Sequence, residues 1–163
     1  MAEIDVLVKD FLAQKKIAVV GVSDKRETGC NAAYRRFKAA GYVTSAVNPR
    51  LSSFEGDPCY PDLKAIPEKP DGVFILTNPK VTEGIVRQCV DLGVRRVWMH
   101  CLMGTRPGLG AGSSSVSPDA VRMCRENGIT VIPGAYPNQY LKPDFGHALM
   151  RVLFRSFGFH KIS

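Results

Sequence analysis

Apolar residues along this chain follow two rhythms. Ile4, Leu7, Val8, Phe11 and Leu12 recur at helical spacing, so residues 3–14 are expected to form an amphipathic lead-in helix. Short, largely apolar segments of strand length then appear at 17–20, 42–47, Val73–Leu76, Val94–Met99 and Ile129–Ile132. Helical patterns fill the gaps. One runs over about 28–40 and stops at Gly41; a second covers Val81–Leu92 and stops at Gly93. A third restarts at Ser117-Pro118, a capping residue followed by proline at the first helical position, and a last one spans Phe145–Phe157. Residues 50–70 hold four prolines and read as an irregular connection with one helical turn near Leu63. Leu102–Ser117, rich in glycine and serine, reads as a long loop. Strands alternating with helices predict an α/β fold with a doubly wound, parallel, five-stranded sheet. No repeat, linker or second domain is visible, so residues 1–163 are read as a single domain, with a core over about 15–135 and a C-terminal helix over about 145–157.

Charge narrows the partners. The 163 residues carry a formal net charge of +7, which favours anionic ligands. The basic residues are dispersed, however, with no long Lys/Arg run and no aromatic-interleaved motif, so nucleic acid is not an expected partner. No apolar run reaches the roughly 18 residues of a membrane span. The acidic start Met1-Ala2-Glu3-Ile4-Asp5 lacks the layout of a signal peptide. The five cysteines at 30, 59, 89, 101 and 124 show neither disulfide nor metal spacing. A cytoplasmic protein without a metal site is the expectation.

Ligands of doubly wound sheets lie outside the carboxyl ends of the strands. Those ends are Gly21–Arg26, Asn48–Arg50, Thr77–Lys80 and His100-Cys101. The first is the most informative: a strand that breaks at Gly21 and re-enters a helix near Thr28 leaves backbone donors at the positive end of a helix dipole, a place for phosphate. A Rossmann dinucleotide site fits poorly. The G-x-G-x-x-G spacing is absent, and the second strand ends in Asn48 where an acidic residue would meet the ribose. Lys25, Arg26, Arg50 and Lys80 around the crevice suit a ligand with a further phosphate.

At this point the residues resemble a family. Val20-Gly21-Val22-Ser23-Asp24-Lys25, Gly41-Tyr42 leading to Val47-Asn48-Pro49, and Pro70-Asp71-Gly72-Val73 are similar, in order and spacing over about residues 10–135, to the small CoA-binding domain proteins. These are single-domain relatives of the CoA-binding module of succinyl-CoA synthetase and ADP-forming acyl-CoA synthetases. The resemblance implies a Rossmann-like fold with CoA as cofactor. By position, Gly21, Val22, Ser23 and Lys25 would hold the pyrophosphate. Asn48, Pro49 and Arg50 would lie beside the adenosine, and Thr77, Asn78 and Pro79 near the adenine or pantetheine. Lys80 and Arg26 are added on electrostatic grounds, for the ribose phosphate. Two departures touch the thiol end of the ligand: the long stretch Cys101–Ser117, and Tyr136-Pro137 where relatives would show Cys-Pro.

Candidates for chemistry are few. His100 and Cys101 leave a strand on opposite sides and are poorly placed as an acid–base pair. Cys30 at a helix start reads as a buried, inert thiol, and Asp144 as a helix cap beside His147. The aromatic residues Phe145, Phe154, Phe157 and Phe159 would cover the core or form a dimer face. No catalytic residue is assigned. The reading is a non-catalytic or regulatory protein that binds CoA or an acyl-CoA. The alternatives are an NAD(P)-linked oxidoreductase and a non-catalytic subunit of a split acyl-CoA synthetase. Protein partners compatible with it are a second copy of the chain or a synthetase-like subunit.

Overall fold

The structure is a computed structural model that describes residues 3–102 and 114–141. The chain forms α1 (Glu3–Leu12), β1 (Lys16–Val20), α2 (Gly29–Ala39), β2 (Val43–Val47), β3 (Ser53–Phe54), β4 (Asp57–Tyr60) and β5 (Gly72–Ile75). It continues with α3 (Pro79–Leu92), β6 (Arg96–Met99), α4 (Pro118–Glu126), β7 (Thr130–Pro133) and a 3-10 turn at Pro137–Gln139. The helix expected over Phe145–Phe157, with its phenylalanines and His147, and most of the loop 102–117 lie outside the described residues.

The sheet has seven strands, not five, in the order β3-β4-β2-β1-β5-β6-β7. The two extra strands come from the proline-rich stretch expected to be irregular. Glu55 and Gly56 both take positive φ (49° and 86°), as a two-residue hairpin turn requires. The turn lets Ser53 and Phe54 pair antiparallel with Pro58 and Asp57. Cys59 and Tyr60 then pair parallel with Ala46 and Val47 of β2. Pro58 is tolerated although β4 lies between β3 and β2, because pairing with β2 begins only at Cys59. Leaving out β3, the order β4-β2-β1-β5-β6-β7 is that of a dinucleotide-binding sheet, 3-2-1-4-5-6. Its reversal of strand order falls between β1 and β5.

Alternation along each strand divides the interior in two. Ile17, Val19, Phe74, Trp98 and Ile132 face α1 and α2, meeting Phe11, Tyr34 and Phe37. Ala18, Val20, Val73, Ile75, Val97 and Met99 face α3 and α4, meeting Ile85, Val86, Cys89 and Cys124. The lead-in helix therefore has a structural duty. Phe11 stacks edge-on against Trp98 at 5.4 Å, and Arg96 Nε donates to Asp10 Oδ2 at 2.8 Å, covering β6 and β7 beyond the reach of α2. Helix ends follow the sequence signals. Asn78 caps α3 and Ser117 caps α4, each with proline in the first turn, and Gly93 ends α3 in the left-handed conformation (φ 67°). No helix among the described residues is long and apolar enough to cross a membrane.

Candidate functional site

The site is built where β2, β1 and β5 end together. Gly21 N–H donates to Val47 O at 3.0 Å, and Leu76 N–H donates to Val20 O at 3.0 Å. Gly21 has φ +113°, and a Cβ there would stand 2.1 Å from the Leu76 carbonyl oxygen. The glycine is thus demanded by the approach of β5, before any ligand is considered.

From Gly21 the chain makes a loop over residues 22–28 whose shape is set by two side-chain amides. Asn31, buried in the first turns of α2, accepts from Ser23 N–H at 2.9 Å and donates to Ser23 O at 2.8 Å and Arg26 O at 3.4 Å. Thr28 caps α2, its Oγ1 accepting from Asn31 N–H at 3.2 Å and donating to Asn31 Oδ1 at 3.0 Å. On the other side Asn48 Nδ2 donates to Val22 O at 2.7 Å, while its Oδ1 accepts from Arg50 N–H at 2.8 Å. Lys25 N–H closes a small turn onto Ser23 Oγ at 3.2 Å. The amides of Arg26, Glu27 and Gly29 meet no acceptor among the described residues and remain for an anion at the start of α2.

A groove of about 330 Å³ opens beside this loop, walled by residues 23–27 and by the hairpin residues 53–55. The hairpin is fastened to α2. Tyr34 Oη donates to Asp57 Oδ2 at 2.6 Å, Lys38 pairs with the same carboxylate, and the Tyr34 and Phe54 rings meet edge-on at 5.2 Å. Within the groove Arg35 is already engaged. It donates to both Glu27 oxygens at 2.7 and 3.0 Å, and its Nε donates to Glu55 at 2.8 Å. The Arg35 guanidinium in turn holds the Glu27 carboxyl below its usual range. Lys25 and Arg26 are exposed and pair with no carboxylate among the described residues. The crevice is therefore balanced in charge, with two cations uncommitted.

The other expected residues fall into separate places. Val22 is fully buried and offers only backbone. Pro49 and Arg50 are exposed on the adjoining β2 loop, outside the groove. Thr77 lies across the strand-order reversal, its Oγ1 sharing a hydrogen bond with Thr82 at 3.0 Å, and Asn78 Oδ1 is used by Lys80 N–H at 3.0 Å. Pro79 occupies the first turn of α3. Lys80 does not join the groove: it pairs with Glu83 at 3.2 Å, whose carboxyl the Ser117 hydroxyl and Lys80 hold below the usual range. Asn31 was missed in the sequence reading. Its signal was a poor helix former placed one turn inside α2, eight residues from the serine it fixes.

Groups with reactive potential are locked away. All five cysteines are free and buried, and burial pushes the Cys30 thiol far up, with Sγ donating to Val20 O at 3.5 Å. His100 is 5 % exposed, and burial lowers its pKa to about 4, so its imidazole is neutral. No group of His, Cys, Asp and Glu side chains that could hold a metal occurs among the described residues.

Residues 15–136 match the family model of the CoA binding domain. The chain belongs to that family. The sequence is 26% identical over 126 residues to the uncharacterized protein YneT of Bacillus subtilis, covering 77% of this chain and 84% of that protein. It is 31% identical over 75 residues to acetate–CoA ligase (ADP-forming) I of Archaeoglobus fulgidus, a match spanning 46% of this chain and 11% of the ligase. Two solved structures share the fold. A hypothetical protein of Pyrococcus horikoshii OT3 superposes with a TM-score of 0.71 at 24% identity, over 85% of this chain and 92% of the other. The dinucleotide-forming acetyl-coenzyme A synthetase 1 of Ca. Korarchaeum cryptofilum gives 0.56 at 21% identity, over 71% of this chain and 25% of that one.

Proposed function

We propose that the protein binds CoA or an acyl-CoA at the carboxyl edge of the sheet, as a binding or regulatory module without chemistry of its own. The observation that carries this is the loop of residues 22–28. Two buried or half-buried amides, Asn31 and Asn48, hold it rigid, and it presents open backbone donors at the start of α2 beside the uncommitted Lys25 and Arg26. On this reading Gly21, Val22 and Ser23 pass the pyrophosphate by their backbone, and Lys25 and Arg26 meet phosphate charge. Arg50 and Pro49 border the adenosine, and Thr77, Asn78 and Pro79 border the path of the pantetheine arm. Asn48 acts by shaping the loop, since both ends of its amide are occupied. In support, His100 and Cys30 are both buried, the imidazole neutral and the thiol protonated, so neither serves as half of an acid–base pair. We place the protein in the cytoplasm, where five free thiols persist.

A second reading has one observation in its favour: part of this chain matches an ADP-forming acetate–CoA ligase. The protein would then supply the CoA-binding part to a separate catalytic subunit. Calorimetry of the purified protein with CoA, acetyl-CoA, NAD and NADP tests the first reading. Binding of CoA or acetyl-CoA without NAD is the expected result. Binding of NAD or NADP instead would replace it with an oxidoreductase. Co-purification of an ATP-using subunit would select the second reading.

A further inference from the structure

Further along the edge from the Lys25 loop, the residues that follow β6 and β7 include buried polar side chains. His100 follows β6, its N–H donating to Ile75 O at 2.9 Å. After β7 the chain turns sharply through Gly134 (φ 133°) and Ala135 (φ 66°). That turn sets the Tyr136 ring edge-on to His100, 5.0 Å between centroids. The Tyr136 hydroxyl accepts from Asn138 Nδ2 at 2.8 Å. It also lies beside the first residue of α2: a Cβ on Gly29 would stand 3.6 Å from that hydroxyl and 3.4 Å from Leu76 Cδ1.

His100, Asn138 and Gln139 are 5 %, 4 % and 0 % exposed, yet His100 Nδ1, Asn138 Oδ1 and both amide atoms of Gln139 have no hydrogen-bond partner among the described residues. Proteins rarely bury polar groups this way, and here all three follow the ends of the adjacent strands β6 and β7. None of the three carries a charge, since burial keeps the imidazole neutral. The missing partner is therefore a neutral group that both donates and accepts. These residues lie on the same edge as the loop of residues 22–28, about 10 Å away for β6 at two inter-strand spacings and about 14 Å for β7 at three. On the CoA reading, a pantetheine arm laid across Leu76 would carry its acyl end toward that part of the edge.

We propose that His100, Asn138 and Gln139 form a subsite for a neutral, hydroxyl-bearing acyl group carried on CoA. The inference rests on the CoA reading above and names the substrate class of that site. Three probes test it on the full chain: CoA, butyryl-CoA and 3-hydroxybutyryl-CoA, the last two differing by one hydroxyl. The hydroxylated thioester is expected to bind about tenfold tighter than butyryl-CoA, the worth of one well-made buried hydrogen bond. The ratio should fall to about one in His100→Phe, which keeps the ring contacts, and separately in Asn138→Leu, with thermal unfolding confirming that each variant is folded. Equal affinity of the two thioesters for the wild-type protein overturns the subsite, as does a preference surviving both substitutions. CoA binding without discrimination removes the subsite alone. Failure of CoA itself to bind removes the CoA reading and the subsite together.

Discussion

The two ends of the ligand edge bury polar side chains in opposite ways. At β1, Asn31 spends both ends of its amide on the backbone of the adjoining loop, and the surface left over is open. At β6 and β7, His100, Asn138 and Gln139 are buried as deeply but hold atoms with no partner among the described residues. A satisfied buried amide stabilises one backbone shape; an unsatisfied one costs about 1–3 kcal/mol wherever it stands. The first region is thus built for shape and the second carries a standing cost that a bound group would offset. The left-handed Ala135 adds to that cost, because non-glycine residues are held there only by surrounding structure.

The largest effect is expected at the frame of the first region. In Gly21→Ala the new Cβ meets a backbone oxygen at 2.1 Å in a conformation that side chains avoid, so β1 and β5 must part. A loss of about 3 kcal/mol or more in urea unfolding is the expected outcome, in the range of severe strain or overpacking. A variant of near-normal stability would mean that Leu76 moves freely and that the strand-order reversal is not rigid. The same clash shows why this glycine is a poor probe of ligand contact: fold and site fail together.

Asn31→Ala and His100→Phe bring the contrast to a single measurement. Asn31→Ala strands the backbone groups of Ser23 and should cost about 2 kcal/mol. His100→Phe removes a buried orphan nitrogen while keeping a ring between Phe74 and Tyr136, so at neutral pH it should be neutral or mildly stabilising. Acid separates them further. The folded imidazole titrates near 4, below its ordinary value, so between about pH 6.5 and 4 the unfolded chain takes up the proton and the native state does not. Wild-type stability should fall across that window, by up to about 3 kcal/mol, relative to His100→Phe. Parallel stability–pH curves for the two proteins would show that His100 is not buried as described.

Much of the frame was legible in the sequence because the decisive signals are local. The apolar runs at 17–20 and Val73–Leu76, the cap at Ser117-Pro118 and the stop at Gly93 all act within a few residues, and the elements stand close to where those signals put them. The hairpin β3-β4 was not legible. Strands of two and four residues show little periodicity, and Pro58 argues against a strand until pairing with β2 is seen to begin only at Cys59. The site divides on the same line. Gly21 was evident as a necessary glycine, but its reason, the Leu76 carbonyl, lies in a strand some fifty residues away. Asn48 was read as a ligand neighbour; that its amide also ties Val22 O to Arg50 N–H only the fold shows. Lys80 pairs locally with Glu83 at i,i+3, whereas only folding brings Glu27 and Glu55 together on Arg35. Whether a charged side chain is spent or available is a tertiary fact.

That distinction gives the smallest and sharpest test. Lys25 and Arg26 line the groove without a carboxylate among the described residues, whereas Arg35 in the same groove is held by two. An exposed, uncommitted cation is screened by solvent, so Lys25→Ala should weaken CoA only a few-fold, on the scale of about 1 kcal/mol or less, and the loss should shrink in high salt. Comparison with dephospho-CoA places the contact. A larger loss for CoA than for dephospho-CoA puts Lys25 against the ribose phosphate, and equal losses put it against the pyrophosphate at the start of α2. Arg35→Ala should behave differently from both. It frees Glu27 and Glu55 to face the ligand, so it weakens CoA by adding repulsion even though Arg35 need not touch it. If Arg35→Ala instead leaves affinity unchanged while Lys25→Ala abolishes it, the phosphate lies outside the walled groove. The hairpin would then be a structural edge and not a binding wall.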